Sequence, residues 1–436
     1  MSKPSHKASS LGEERVIEVP QLVAYYVTNL IGAGIFVIPA IAQERAGAWV
    51  LGAWLFLTLC SWPMARIFAR ISLDYPNSNG ILYFISQYGS PRLGYALSML
   101  TMLIMIGGNP IMGLVAARYA IAAFHLPGEW LYELGIAFML LSVGFNMLGL
   151  RNSARMQTAL VVLTTTCLLG LVGLVFVNGG AATWPEANQF EVEPFLAALA
   201  ICFFAFLGWE NVSTIAPNVR DPERSFRLAT LISVPLVGLL YLSVSLALLL
   251  ATKGTLHTGD YAVLDHLVTG LGFGKATLFT NCLALVVVVL STNAWVLAAS
   301  RLLAATARDG HLPSIFARQS KSAIPFHALL ALAVTYVLTL LLFRTSSHAE
   351  TTLIEFVTGG FVLIYAITFF LAVRRYRKES IIIHAVSSLV LCLVFGLSVP
   401  VQLASAATVA AALWLISGRE QRRMSRSRSG NLRSEI

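Results

Sequence analysis

Apolar residues in this chain run in long blocks separated by short polar breaks, without the alternating or one-sided pattern of a soluble fold. Each block is long enough for a helix of about 20 residues, the length that crosses a bilayer. The blocks predict twelve transmembrane helices, at 20–43, 47–72, 93–124, 129–149, 153–178, 194–217, 228–251, 275–306, 325–343, 351–373, 380–398 and 400–417. Pro400 marks the turn between the last two. Composition agrees: of 436 residues, 57% are apolar and 12% charged, where a soluble chain is about a quarter charged. The expectation is an all-α membrane protein, and a soluble enzyme built on one hydrophobic core is excluded.

The formal charge of +9 is explained by topology. With the N-terminus in the cytoplasm and loops assigned alternately, 25 of the 30 Lys and Arg residues fall on the inner side. Only Arg45, Arg118, Lys253, Lys275 and Arg344 fall outside. Such a bias follows the positive-inside rule and supports an even number of spans with both termini cytoplasmic. It also removes nucleic acid as a partner. Trp49, Trp130 and Trp184 lie near span ends, where indole rings favour the interface. The pieces around Ile81–Ile85 and within Asp260–Leu271 are amphipathic and are expected on the membrane surface. The tail 424–436, rich in Ser and Arg, reads as disordered. Residues 1–18 are polar, and the first apolar run is too long and interrupted for a signal peptide. The five cysteines lie inside apolar blocks without CxxC spacing, and the histidines form no HExxH pair. Buried thiols are expected, with no metal site and no cofactor.

Two spans carry the chemistry. The first reads Asn29-Leu30-Ile31-Gly32-Ala33-Gly34-Ile35-Phe36-Val37-Ile38-Pro39. Two glycines at mid-membrane depth permit non-helical backbone, which survives there only if it lines a cavity or is buried in protein; close helix packing through small residues is the alternative. The sixth reads Phe203-Phe204-Ala205-Phe206-Leu207-Gly208-Trp209-Glu210-Asn211. An acid within an apolar span is a functional candidate by its cost, or else a cap on the following half-helix. Spans 1 and 6 cross in opposite directions, and paired interruptions in two inverted halves point to a midplane binding site. N–H groups of a half-helix beginning near Gly34 suit a carboxylate, and carbonyls ending near Leu30 and Ile31 suit an ammonium. Carbonyls around Phe206 and Leu207 could share the second role. One zwitterion therefore fits without a charged side chain.

These motifs resemble the amino acid–polyamine–organocation superfamily. The resemblance rests on Gly32-Ala33-Gly34-Ile35-Phe36 with Pro39, Phe204 to Glu210, Asp221-Pro222-Glu223-Arg224, and Ser300-Arg301 through Ala307-Arg308-Asp309-Gly310-His311-Leu312-Pro313. It covers about residues 18–420 and is nearest to bacterial exporters of methionine and branched-chain amino acids. It implies a LeuT-type fold of two inverted five-helix repeats, 20–178 and 194–373, followed by two C-terminal helices at 380–417. The segments 1–19 and 418–436 are then cytoplasmic tails. It also implies that Ile31, Gly32, Ala33 and Gly34 receive the substrate backbone, faced by Phe206, Leu207 and Gly208. Phe204 falls at a gating aromatic position, Trp295 on the substrate path, and Glu210 at an acid linked to protons.

The chain departs from the family pattern at Pro76-Asn77-Ser78-Asn79-Gly80, at Asn218 and at Arg227. Its fifth span has no lysine, which some proton-coupled relatives use in place of a sodium ion. Ser291 and Thr292 could offer hydroxyls to sodium, or serve only as interhelical bonds. Asn109 with Pro110 either shapes the pocket floor or marks a kink. Coupling to H+ or Na+ stays open at this level, as does a monomer or a homodimer. The expected function is secondary transport of neutral hydrophobic amino acids (methionine, leucine, isoleucine, valine), outward across the inner membrane. The alternative is import or antiport of cationic amino acids or polyamines. No GxxxxGK[ST] motif supplies ATP drive, and no His, second Glu or Asp joins Glu210 at depth to make an enzyme.

Overall fold

The computed structural model describes residues 15, 17–32, 34–77, 79–148, 154–178, 190–252, 262–270, 272, 276–308, 312–320, 324–345 and 349–434. Among them there is no strand, only an isolated bridge pairing Ile17 with Val219. Nine helical stretches are long and apolar enough to cross a membrane, and two shorter apolar helices, 161–177 and Ile382–Ser398, accompany them among the described residues. Large apolar side chains such as Leu59, Phe279, Leu342 and Val401 stand exposed around the bundle, as a lipid-facing surface requires.

The first block is interrupted, as its glycines predict. Helix α1 (Val19–Ile31) ends at Gly32, a 3-10 turn covers Gly34–Phe36, and α2 (Ile38–Ala46) restarts with Pro39 in its first turn, where a missing N–H costs nothing. Helix α3 (Val50–Asp74) follows. A short helix α4 (Ile81–Phe84) runs into a π turn at Ile85–Gly89. Helices α5 (Pro91–Phe124), α6 (Leu131–Met147) and α7 (Ala154–Asn178) complete the first half. The sixth block is interrupted in turn: α8 (Val192–Ala205) stops, and a 3-10 segment, Trp209–Asn218, continues. Then come α9 (Pro222–Ala251), α10 (Val263–Gly270), α11 (Thr277–Arg308), α12 (Phe326–Phe343), α13 (Ala349–Arg375), α14 (Ile382–Ser398) and α15 (Pro400–Ser434).

Three sequence expectations need correction. The piece at Ile81–Ile85 does not float on a surface: Ile81, Phe84 and Ile85 are buried, and Phe84 packs its ring on Tyr75 and Tyr88. Within Asp260–Leu271, helix α10 likewise buries Val263, Leu264, Leu267 and Val268. An amphipathic pattern reports one apolar face, and here other helices cover that face before lipid can. The tail beyond Met424 continues α15 as helix to Ser434; Arg is a good helix former, and low complexity alone does not break the backbone pattern.

The end of the bundle that carries Ile17 also carries an ionic cluster. Arg70 bonds Asp74 at 3.2 Å and Glu379 at 3.0 Å, and Arg375 reaches Glu379 at 3.4 Å, joining α3 to the α13–α14 turn. At the opposite end Arg118 of α5 pairs with Glu350 of α13 at 2.9 Å. That pair is mostly buried, so removing one partner matters more there than at the surface.

Candidate functional site

The two helix breaks meet. At Gly32 the backbone takes φ 31° and ψ −134°, a region that glycine enters without a Cβ penalty. Its N–H closes the last bond of α1 onto the Thr28 carbonyl at 3.1 Å. At the second break, Phe206 and Leu207 bond back to Phe203 and Phe204 at 2.9 and 3.2 Å, and Gly208 turns the chain with φ 129°. A Cβ on Gly208 would lie 3.2 Å from the Asn29 carbonyl oxygen. The Gly208 position is therefore where the two interrupted backbones touch, and only a residue without a side chain allows that approach.

Ending α1 at mid-depth leaves carbonyls that must find donors. The Tyr241 hydroxyl of α9 donates to the Leu30 carbonyl at 2.8 Å. Its ring stacks on Trp54 with centroids 4.4 Å apart and planes 12° apart. On the other side of the break the Tyr119 hydroxyl of α5 donates to the Phe36 carbonyl at 2.7 Å. Ile31, adjacent to these, lies at the edge of open space.

That space is a cavity of about 550 Å³, mouth included. Ile31, Gly32 and Gly34 from the first break line it together with Phe204, Leu207 and Trp295. Asn109 of α5 also lines it, and its amide donates to the Tyr336 hydroxyl at 2.7 Å. Both readings of Asn109 are thus present, a pocket group and an interhelical bond. Asn29 of α1 lines it too, and the remaining wall is apolar, with Ile104, Met105 and Met112 from α5 and Val357 and Phe361 from α13. No Asp, Glu, Lys or Arg is among the described residues lining it.

Other expected residues lie elsewhere. Ala33 is outside the described residues. Phe206 turns away from the cavity into a ring cluster with Trp54 and Tyr241, at 5.9 and 5.6 Å. Glu210 is buried behind the second break, where its carboxylate accepts the Gly208 N–H at 3.0 Å and a hydroxyl bond from Tyr365 of α13. It is thus a cap on its own segment and a tie to α13 at once. Ser291 lines a second cavity of about 450 Å³ with Thr28, Gly32, Thr164 and Thr165, and Gly32 borders both spaces. Thr292 bonds its hydroxyl to the Val288 carbonyl within α11 at 2.7 Å. Glu355 accepts from Gln402 of α15 at 2.8 Å.

Sequence reasoning did not anticipate Tyr241, Tyr365 or the apolar α5 and α13 side chains of the wall. A tyrosine inside an apolar span carries a polar handle that needs a partner, so Tyr241 and Tyr365 had a readable signal. Met105, Met112 and Phe361 had none, since an apolar span contains many such residues.

Comparison with known proteins bears on this arrangement. Residues 17–418 match the family model described as amino acid permease. The L-methionine/branched-chain amino acid exporter YjeH of Escherichia coli (strain K12) is 26% identical over 409 residues, covering 93% of this chain and 96% of that protein. The large neutral amino acids transporter small subunit 2 of Mus musculus is 28% identical, covering 87% and 75%. The cadaverine/lysine antiporter of Escherichia coli (strain K12) is 24% identical, covering 84% of each chain.

Proposed function

This chain belongs to the amino acid permease family, and on that premise we propose that it is a secondary active transporter of neutral hydrophobic amino acids, methionine and the branched-chain residues, working outward across the plasma membrane. The observation that carries the cargo is the wall of the larger cavity. Backbone ends of two broken helices supply dipoles for the zwitterion, and the rest of the wall is uncharged and, apart from the amides of Asn29 and Asn109, apolar. A lysine or diamine side chain bound there would be an unpaired buried cation, at a cost of several kcal/mol. Outward direction is supported by similarity along nearly the whole length to a relative named as an exporter.

In this reading the chain has twelve spans, with inverted repeats at 20–178 and 194–373, two further helices within 380–417 and both termini in the cytoplasm. The cavity lies between the repeats and is reached alternately from each side. Ile31, Gly32, Ala33 and Gly34 hold the substrate backbone, Leu207 and Gly208 face them, and Phe204 and Trp295 close over the side chain. The Glu210–Tyr365 bond joins the second break to α13 on the cytoplasmic side of the cavity, so its making and breaking accompanies closure and opening there. The ion is H+ acting at Glu210 or Na+ held by Ser291 and its neighbours.

Counterflow in proteoliposomes tests this. Vesicles loaded with methionine or leucine are expected to accumulate labelled leucine, and vesicles loaded with lysine, cadaverine or putrescine are not. Exchange of labelled lysine without exchange of leucine would overturn the neutral-cargo reading. Repeating the assay at two pH values, with and without sodium, names the coupling ion.

A further inference from the structure

Tyr119 lies on α5 seven residues beyond the cavity residue Met112, about 10 Å along the helix axis. It is fully buried. Its hydroxyl donates to the Phe36 carbonyl at 2.7 Å and accepts the Leu264 N–H in a longer bond of 3.4 Å. A phenolic oxygen can donate once and accept as well, so both bonds form together. Phe36 belongs to the 3-10 turn that begins at Gly34 on the cavity wall, and its ring meets Tyr119 edge-on at 5.8 Å. Leu264 is in the first turn of α10, where N–H groups have no partner inside the helix. One hydroxyl thus touches both the substrate-side turn of the first span and the start of the short helix α10. Helix α10 has a second anchor, because Asn281 of α11 donates to Asp265 at 2.9 Å. The turn at Phe36 has no comparable side-chain bond to α11 among the described residues.

We propose that Tyr119 is a positioning residue for transport, whose hydroxyl holds the Gly34–Phe36 turn and the start of α10 in one register, so that the outer side of the cavity closes only when both are seated on α5. Its consequence for transport rests on the transporter reading above; its geometry does not. Opening on that side separates the outer half of the first span from α5 and leaves the Phe36 carbonyl without its donor. The hydroxyl therefore weights the equilibrium toward the closed arrangement, by roughly two- to tenfold, the worth of one net hydrogen bond.

Hydrogen exchange on the full chain in nanodiscs tests the proposal without relying on transport. Tyr119→Phe keeps the ring and removes the hydroxyl; it is expected to speed exchange roughly two- to tenfold in both 34–41 and 262–270. Asn281→Ala releases the other anchor and is expected to speed exchange in 262–270 alone. Tyr132→Phe removes a different tyrosine bond at the same end of the bundle, to the Phe343 carbonyl, and is expected to change neither segment. Wild-type exchange at 34–41 in Tyr119→Phe would overturn the proposal. So would a rise at 34–41 in Asn281→Ala, which decides the matter if Tyr119→Phe is not recovered folded. In transport, Tyr119→Phe is expected to lower leucine half-saturation at the outer face and raise it at the inner face, a divergence that general loosening does not produce. A wild-type protein that exchanges no amino acid would defeat the transporter reading while leaving the exchange result to judge the hydroxyl.

Discussion

Substituting Gly34 by alanine places one methyl against a buried tyrosine at the site. The added Cβ would lie 3.0 Å from the Tyr241 hydroxyl oxygen and 3.7 Å from the Ala205 Cβ. Unlike Gly32 at φ 31°, Gly34 does not adopt a left-handed backbone, so the effect is steric contact rather than strain. Tyr241 cannot withdraw freely, being fully buried and stacked on Trp54 at 4.4 Å. A displacement of a few tenths of an ångström stretches and weakens its 2.8 Å bond to the Leu30 carbonyl, with full loss of the bond as the limit. A buried acceptor left unpaired costs about 1–3 kcal/mol. On a binding equilibrium that is roughly five- to a hundredfold, and it falls on the turn that receives the substrate backbone. Gly34→Ala is therefore expected to raise leucine half-saturation in the counterflow assay by about that factor. Tyr241→Phe removes the same bond and the same obstruction, so adding Gly34→Ala to it should cost little more, giving a coupling of about 1 kcal/mol or above. Wild-type kinetics for Gly34→Ala, or strict additivity of the pair, would refute the argument. Gly34→Leu, with a whole side chain driven against Tyr241 and Ala205, is expected to abolish transport.

Three further outcomes follow from the same geometry. Glu210→Gln can still accept from Gly208 and Tyr365 but carries no titratable proton, so it is expected to insert and fold while flattening the pH dependence of transport; an unchanged pH profile would leave Glu210 as a cap only. Phe361→Ala enlarges the apolar wall and is expected to shift preference toward aromatic amino acids by about tenfold relative to valine, read by competition against labelled leucine. Glu350→Gln removes the carboxylate charge that Arg118 meets at 2.9 Å and is expected to destabilise the protein by about 3 kcal/mol, whereas Arg118→Met with Glu350→Leu recovers most of that loss, as measured by unfolding in detergent.

What the chain's order of residues determines here is local. Hydropathy alone identifies a helical membrane protein, because burial in lipid is a property each segment carries by itself. Gly32, Gly34 and Pro39, then Gly208 after an apolar run, identify where helices stop, because backbone freedom is set residue by residue. What only the tertiary structure decided is which groups answer those interruptions. The Leu30 carbonyl is satisfied by Tyr241, from a helix more than 200 positions later, and no local pattern signals that pairing. Phe206 and Leu207 are neighbours, yet one joins a ring cluster and the other faces the cavity, since the turn at Gly208 sets their directions. The apolar faces of α4 and α10 were visible, but whether lipid or protein covers them depends on where α5, α9 and α11 stand. Side-chain contacts between distant spans arise from packing, and packing is not written in any one segment.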